Sequence, residues 1–185
     1  MQTKQTIEAL VSRVKSSTKK CGITKVITID GPAGSGKTTL ANQLAEVLSD
    51  CAMIHMDDLY NGWTQDLHGE LATRISQKIL IPLSQNKSAQ FEKYNWTTNS
   101  FSEKVSIAPP SYLILEGVGS GHPDLNLKSA LNVWIEADPS LLLERLVKRD
   151  GEALRDDLVR WQTHEAQYFS QLSIKQLADV CLTGD

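Results

Sequence analysis

A glycine-rich stretch that begins at residue 31 has the residue types and the spacing needed to hold phosphate groups. It follows the pattern G-x-x-x-x-G-K-[ST] and consists of Gly31, Pro32, Ala33, Gly34, Ser35, Gly36, Lys37 and Thr38, with Thr39 next. Glycines can adopt positive φ, which lets backbone N–H groups converge on phosphate oxygens. Lys37 would bring a positive charge to the outer phosphates, and the Thr38 hydroxyl would bind Mg²⁺. We therefore predict a phosphate-binding loop, the P-loop, that takes ATP and Mg²⁺.

Carboxylates follow two segments that have the composition of buried strands. Residues 52–57 end in Asp57, which Asp58 follows, and residues 112–116 end in Glu116 in the manner of a Walker B segment. Ligands of open α/β sheets collect beyond the carboxyl ends of the strands. We therefore predict that Thr38, Asp57 and Glu116 hold the metal, since Mg²⁺ prefers oxygen ligands. The alternatives are a solvated Asp-rich turn that caps a helix and an ordinary glutamate at a strand end.

The segment from residue 60 to residue 107 is rich in aromatic residues and holds a single arginine. Its candidate substrate-binding residues, together with the preceding acid, are Asp58, Tyr60, Trp63, Arg74, Tyr94 and Trp96. Aromatic faces can stack on a base or cover a sugar ring, whereas a phosphate acceptor would call for several bidentate arginines. We therefore predict an uncharged acceptor hydroxyl. The alternative is a peripheral hairpin over residues 86–107 whose aromatic side chains only pack.

A helix predicted after Asp138-Pro139 carries Arg145 and Arg149 on one face. Arginines placed there can clamp a transferring phosphoryl group, so we predict that both are catalytic and that residues 145–160 form a lid. Solvated surface charge is the alternative, and it is the favoured interpretation for Arg155 and Arg160. His122 lies in a loop, where a single histidine is more typical of ordinary surface than of a base.

The elements that must position these residues alternate between strands and helices. Residues 26–30, before the P-loop, are apolar and β-branched, as in a buried parallel strand. The helix predicted over 39–48 has one apolar face, formed by Leu40, Leu44, Val47 and Leu48. A second helix is predicted over 66–81, and Pro82 should interrupt its pattern near the end. The alternation predicts an α/β fold with a doubly wound, mostly parallel, five-stranded sheet and helices on both faces.

Composition narrows the class of protein. The 185 residues suit a single domain spanning 1–185. A net charge of −3 and an isoelectric point near 5.8 argue against a nucleic-acid partner. No apolar run reaches transmembrane length, and the first residues lack the apolar core of a signal peptide, so we expect no membrane partner and a cytoplasmic location. We expect Cys51 and Cys181, which lie at or near predicted strands, to be buried small hydrophobes.

From Lys25 to Thr183 the sequence resembles the uridine kinase-like branch of the P-loop kinases, which is related to nucleoside and nucleotide kinases. Besides the P-loop, the segment Met56-Asp57-Asp58-Leu59-Tyr60 is similar to that family's Asp-Ser-Phe-Tyr, and Leu115-Glu116-Gly117 is similar to its Glu-Gly. Residues 145–150 are similar to its lid pattern Arg-Arg-x-x-Arg-Asp. The resemblance implies that Asp57 is the catalytic aspartate.

The chain departs from that family where the nucleoside is held. Tyr94-Asn95-Trp96 stands in place of Tyr-Asp-Phe, and the Arg-Gly that usually follows the lid pattern is missing. We therefore expect an ATP- and Mg²⁺-dependent kinase that phosphorylates a hydroxyl of a small molecule, with a nucleoside first. The alternatives are a nucleoside monophosphate kinase and a nucleotide-binding ATPase with a regulatory or interaction role.

Overall fold

The computed structural model describes residues 2–18 and 21–184, and in these residues five parallel strands form the central sheet. The strands are β1 (Lys25–Asp30), β2 (Cys51–His55), β3 (Ala89–Asn95), β4 (Ser100–Ile107), β5 (Tyr112–Glu116), β6 (Ser129–Glu136) and β7 (Val180–Thr183). The sheet has the order β2-β5-β1-β6-β7, and β3 and β4 form a separate antiparallel hairpin. Because β1 is central, the P-loop that follows it lies in the middle of the carboxyl edge.

Helices cover both faces of this sheet. They are α1 (Lys4–Ser16), α2 (Lys37–Val47), α3 (Glu70–Ile75), α4 (Ile81–Ser84), α5 (Pro123–Asn126), α6 (Pro139–Asp150), α7 (Arg155–Leu172) and α8 (Ile174–Leu177). On one face, Leu10 of α1 and Leu40 of α2 pack on Ile27 and Ile29 of β1. On the other, Leu71 of α3 and Tyr168 of α7 belong to a core that includes Val26. The predicted doubly wound architecture is confirmed.

Caps fix the helix that carries the two predicted arginines. The Asp138 carboxylate accepts a hydrogen bond from the backbone N–H of Ser140 at 2.9 Å, and Pro139 is the first helical residue. Gly151 ends α6 with φ of 100°, a conformation that a glycine adopts easily. These signals were readable in the sequence.

The helix predicted over 66–81 begins later and ends later than expected. The Asp66 carboxylate accepts hydrogen bonds from the N–H groups of His68 and Glu70, which holds residues 66–69 in a turn. Pro82 does not end the helical path, because the preceding Ser76–Leu80 segment is a wider π-helical turn. Such a turn accommodates a residue that has no N–H to donate. The path therefore runs from Glu70 through Ser84.

Three burial predictions were wrong. Val47 is 52% exposed at the end of α2, while Leu40, Leu44 and Leu48 are buried as expected. Cys51 is only half-buried, since it begins the edge strand β2, and Cys181 is exposed on the opposite edge strand β7. In the described ranges, 2–18 and 21–184, no helix combines the length and the apolar composition needed to cross a bilayer.

Candidate functional site

A cleft of about 630 Å³ opens at the carboxyl edge of the sheet. Its lining includes the P-loop residues Ala33, Gly34, Gly36, Lys37, Thr38 and Thr39. It also includes the predicted residues Asp57, Tyr60, Trp63, Trp96, Glu116, Arg145 and Arg149. The structure thus brings the phosphate, metal, aromatic and arginine candidates to one place.

The P-loop has the backbone conformation that its glycines predict. Gly34 and Gly36 have φ of 84° and 97°, and Gly36 is the N-cap of α2. A Cβ at Gly31 would lie 2.0 Å from the carbonyl oxygen of Ile135, so only glycine fits there. The Lys37 ammonium donates to the carbonyls of Gly31 and Pro32 at 2.8 Å each. The loop is therefore shaped to present N–H groups and one lysine to phosphate oxygens, which fits a nucleoside triphosphate.

Beside the P-loop, two predicted metal ligands already touch. The Thr38 hydroxyl lies 3.2 and 3.3 Å from the two carboxylate oxygens of Glu116, which is 4% exposed. The Nδ1 atom of His55 contacts the same carboxylate, because His55 and Glu116 are register partners in β2 and β5. This contact is the first cause of a raised pKa at His55. A hydroxyl with one held carboxylate is a hard oxygen donor set, which fits Mg²⁺.

Asp57 and Asp58 diverge, but not because they alternate along a strand. β2 ends at His55, and Met56–Asp58 form a single 3₁₀ turn. Asp57 lines the cleft and is open to its solvent, while Asp58 forms an ion pair with Lys93 at 3.0 Å. Although open, Asp57 lies between protein walls that raise its pKa by desolvation, with Lys37 opposing this effect and Glu116 adding to it.

Opposed to these polar groups is an aromatic wall, which we define as Tyr60, Trp63, Trp96 and Trp161. The Trp63 ring centroid lies 5.2 Å from that of Trp96 and 6.2 Å from that of Trp161. The Tyr60 and Trp161 centroids are 5.1 Å apart. The Tyr60 hydroxyl donates to the Val118 carbonyl at 2.8 Å. The sequence analysis missed Trp161 as a site residue, because its position on α7 indicated only that it faces inward.

Three of the predicted substrate-binding residues do not line the cleft: Asp58, Arg74 and Tyr94. Arg74 donates to the Leu59 carbonyl and, at 2.7 Å, to Gln65 Oε1, so it braces the segment from behind. Tyr94 is 8% exposed, and its ring lies 5.3 Å from Trp96. Strand β3 ends at Asn95, so Trp96 lies in the turn of the hairpin, while Tyr94 is still within the strand.

The two lid arginines approach the P-loop from α6. Arg145 Nη1 lies 3.4 Å from the Gly34 carbonyl, and Arg149 forms a bidentate ion pair with Asp150 at 2.6 and 2.7 Å. Both also line the cleft. Arg155 and Arg160 are exposed and pair with Glu152 and Asp157 on their own segment, which agrees with their interpretation as surface charge.

Two buried carboxylates beneath the P-loop were not identified from the sequence. Asp30, 2% exposed, accepts hydrogen bonds from the N–H groups of Gly31 and Gly121 at 2.7 and 2.8 Å and from the Tyr168 hydroxyl at 3.2 Å. Glu165, 3% exposed, accepts from the Ala33 N–H with both oxygens at 3.1 Å. Desolvation raises the pKa of Asp30 to about 6 and that of Glu165 to about 7. A lone glutamate in a helix pattern gives no signal for such a contact.

His122 is neither ordinary surface nor placed as a base. It is 5% exposed, and its Nδ1 atom accepts from the N–H of Asp124, which caps α5. Its Nε2 atom lies 2.8 Å from the carbonyl oxygen of His68. Both ring nitrogens are therefore used in holding loops together.

Comparisons with known proteins agree with the P-loop kinase fold. Residues 27–169 match the family model described as an AAA domain. The uridine kinase of Borrelia duttonii is 29% identical over 105 residues, 51% of this chain and 51% of that protein. The cytidylate kinase of Archaeoglobus fulgidus is 30% identical over 152 residues, 78% of this chain and 72% of that protein. The chain thus spans about half the length of the Borrelia relative.

A solved structure described as a possible uridine kinase from Bacillus stearothermophilus shares the fold. It superposes with a TM-score of 0.70 at 20% identity, over 98% of this chain and 100% of that chain. Together these comparisons confirm the resemblance to uridine kinase-like P-loop kinases that the sequence motifs indicated.

Proposed function

We propose that this chain, which belongs to the AAA domain family, is an ATP- and Mg²⁺-dependent kinase. It would transfer the γ-phosphoryl group to a hydroxyl of a small molecule, and a nucleoside is the acceptor that fits best. One observation carries this proposal. A single cleft holds the P-loop, the carboxylate of Asp57 and an aromatic wall. Phosphoryl transfer depends mostly on positioning and charge stabilisation, and the cleft offers groups for both.

The charged groups of the cleft divide the tasks of the proposed reaction among them. The P-loop N–H groups and Lys37 hold the phosphates. Asp57 accepts the proton of the acceptor hydroxyl while that oxygen bonds to the γ-phosphorus. As the bond from the γ-phosphorus to the β–γ bridging oxygen breaks, Lys37, Arg145 and Arg149 stabilise the charge left on the bridge. Thr38 and Glu116, with Asp57 beside them, would hold Mg²⁺, which neutralises phosphate charge when bound.

The composition of the acceptor side favours an uncharged acceptor. Tyr60, Trp63, Trp96 and Trp161 offer flat apolar faces, and stacking on such faces tolerates different bases. Arg74, the one arginine of the segment 60–107, faces away from the cleft and is occupied by Leu59 and Gln65. Asn95 stands where uridine kinases have an acid, and its side chain accepts from the N–H groups of Thr97 and Thr98. We therefore propose that the nucleoside is held by stacking more than by a carboxylate.

A nucleoside monophosphate kinase is the second candidate. The relative from Archaeoglobus fulgidus is named as a cytidylate kinase, and Arg145 and Arg149 line the cleft, where they could hold an acceptor phosphate. A regulatory ATPase without a small acceptor is the third candidate, and slow hydrolysis that no metabolite stimulates would be its mark.

The deciding experiment is ADP formation with uridine or cytidine, compared with UMP or CMP at equal concentration. We expect stimulation by a nucleoside. Stimulation by the monophosphates alone would favour the second candidate, a nucleoside monophosphate kinase. No stimulation by any acceptor in a wider set of nucleosides, sugars and vitamin-like alcohols would favour the third candidate, a regulatory ATPase.

We further propose how the chain divides this work. Residues 1–185 would act as one kinase domain, in which 60–107 is the acceptor-binding insertion and 145–160 the lid. Its partner would be the small acceptor rather than nucleic acid or a membrane, and its location the cytoplasm. The acidic charge balance supports the choice of partner.

A further inference from the structure

A buried carboxylate faces the loop that is built to hold anions. Glu165 of α7 binds the N–H of Ala33 through both of its oxygens at 3.1 Å. Ala33 lines the cleft and belongs to the P-loop, while its N–H is directed to the buried Glu165. A buried negative group is therefore in direct contact with the loop that is built to hold phosphates.

The charged groups around Glu165 make an ionised carboxylate at this position unfavourable for phosphate binding. The groups that face it are Lys37 of α2, Asp30 at the end of β1, and Tyr60 of the acceptor segment. Among them Lys37 carries a positive charge, which a nucleotide's phosphates also require. An ionised Glu165 would therefore repel the phosphates and offset part of the attraction that Lys37 exerts on them.

We propose that Glu165 is a positioning residue that holds the P-loop through Ala33 and sets the affinity for nucleotide by its charge, so that nucleotide binding takes up a proton at Glu165. The inference rests on the proposed function only in requiring that a nucleotide binds at the P-loop. A protonated carboxyl still accepts from the Ala33 N–H through its carbonyl oxygen, so the loop keeps its shape while the repulsion disappears.

The direction of the pH effect follows from this arrangement. Burial raises the pKa of Glu165 to about 7, and Asp30 adds to the rise while Lys37 and the Ala33 N–H oppose it. Below this pKa the carboxyl is neutral and does not repel phosphates; above it, the charge is present. Nucleotide affinity should therefore fall as the pH rises through about 7, by at most about tenfold per pH unit for one proton.

The test measures binding of the Mg²⁺ complex of a non-hydrolysable ATP analogue, AMP-PNP, by calorimetry from about pH 6 to about pH 8.5. Titrations in HEPES and in Tris, which differ in ionisation enthalpy, count the protons taken up. We expect Glu165→Gln, which keeps an acceptor for Ala33 N–H, to bind several-fold to about tenfold more tightly than wild type at about pH 8. It should also lose most of the proton uptake.

Two further variants separate charge from structure. Glu8→Gln removes the same charge from an exposed position of α1, outside both the cleft and the lid, and should bind like wild type at every pH. Glu165→Ala removes the acceptor as well as the charge and should bind more weakly than Glu165→Gln. This difference would show that the hydrogen bond positions the loop.

Three results would overturn the inference. The first is wild-type protein that binds AMP-PNP without proton uptake near pH 7. This result needs no variant, so it would overturn the inference even if Glu165→Gln failed to fold. A folded Glu165→Gln with the wild-type affinity and pH profile would reduce Glu165 to a structural contact. Wild-type protein that binds no nucleotide at all would remove the proposed function together with the inference.

Discussion

The two sides of the cleft are built by different means. The phosphate side is backbone and charge: glycines with positive φ, a lysine tied to two carbonyls, and Thr38 against Glu116. The acceptor side is a set of rings, the aromatic wall, that contact one another at centroid distances of 5.1 to 6.5 Å. A backbone cradle needs particular residues at particular spacings, whereas a wall of rings can be assembled from aromatic residues on several elements. On the proposed function, the first side would serve any nucleotide, and the second would decide the acceptor.

The comparison of the two sides predicts that Lys37→Ala causes the largest loss of turnover. Removing this charge should lower turnover by roughly 10²–10³-fold, as for loss of one strong charge-stabilising donor, and should weaken ATP binding. Turnover and calorimetric ATP affinity are measured together with the melting temperature. Lys4→Ala, at an exposed position of α1, is the control and should change none of them. A folded Lys37→Ala with normal ATP affinity would contradict the role given to the phosphate side.

Asp57→Asn should have the next largest effect and lower turnover by roughly 10²-fold or more, because a general base is lost. Asp58→Asn is the matched control, since Asp58 pairs with Lys93 outside the cleft, and it should cost far less. The pKa of Asp57 is raised, and only the ionised form accepts a proton, so turnover should fall as the pH falls through that raised value. A pH–rate profile without this acid limb, or the reverse ranking of the two variants, would remove Asp57 as the base.

Trp63→Ala and Trp96→Ala should act on the acceptor side alone. Loss of one stacking ring costs about 1–3 kcal/mol, which corresponds to a rise of roughly 5- to 150-fold in the acceptor KM, while ATP affinity stays unchanged. Tyr94→Phe tests the position that the sequence analysis also assigned to substrate. It keeps the ring that supports Trp96 at 5.3 Å, so little change is expected. A large effect of Tyr94→Phe would place the acceptor against Tyr94 after all.

Arg74→Gln should have the smallest effect, because Arg74 touches the cleft only through the segment that it braces. Loss of its hydrogen bonds to Leu59 and Gln65 should raise the acceptor KM by about tenfold at most, as for one net hydrogen bond. Lys78→Gln, one helical turn further on, is the control. If Arg74→Gln instead abolished activity with a monophosphate acceptor, Arg74 would be a phosphate ligand. That result would favour the second candidate function, a nucleoside monophosphate kinase.

The two sides also differed in how far the sequence predicted them. The P-loop, the strands around it and the cap at Asp138 were all predicted, because each depends on a local pattern with one structural solution. Trp161 and Glu165 were missed, since their roles depend on where α7 lies against β1 and the P-loop, which no local pattern states. Tyr94 and Arg74 were assigned to the cleft because their residue types fit the chemistry, but packing turned both away from it.

The contact between Ala33 and Glu165 also has a consequence for how the chain folds. The two residues are 132 positions apart, so the P-loop can reach its final support only after synthesis has passed Glu165 and α7 has docked. Long-range contacts of this kind form late, because a large loop must be closed first. Nucleotide added during refolding should therefore stabilise the completed fold and have little effect on earlier intermediates, which makes nucleotide protection a marker for the last step of assembly.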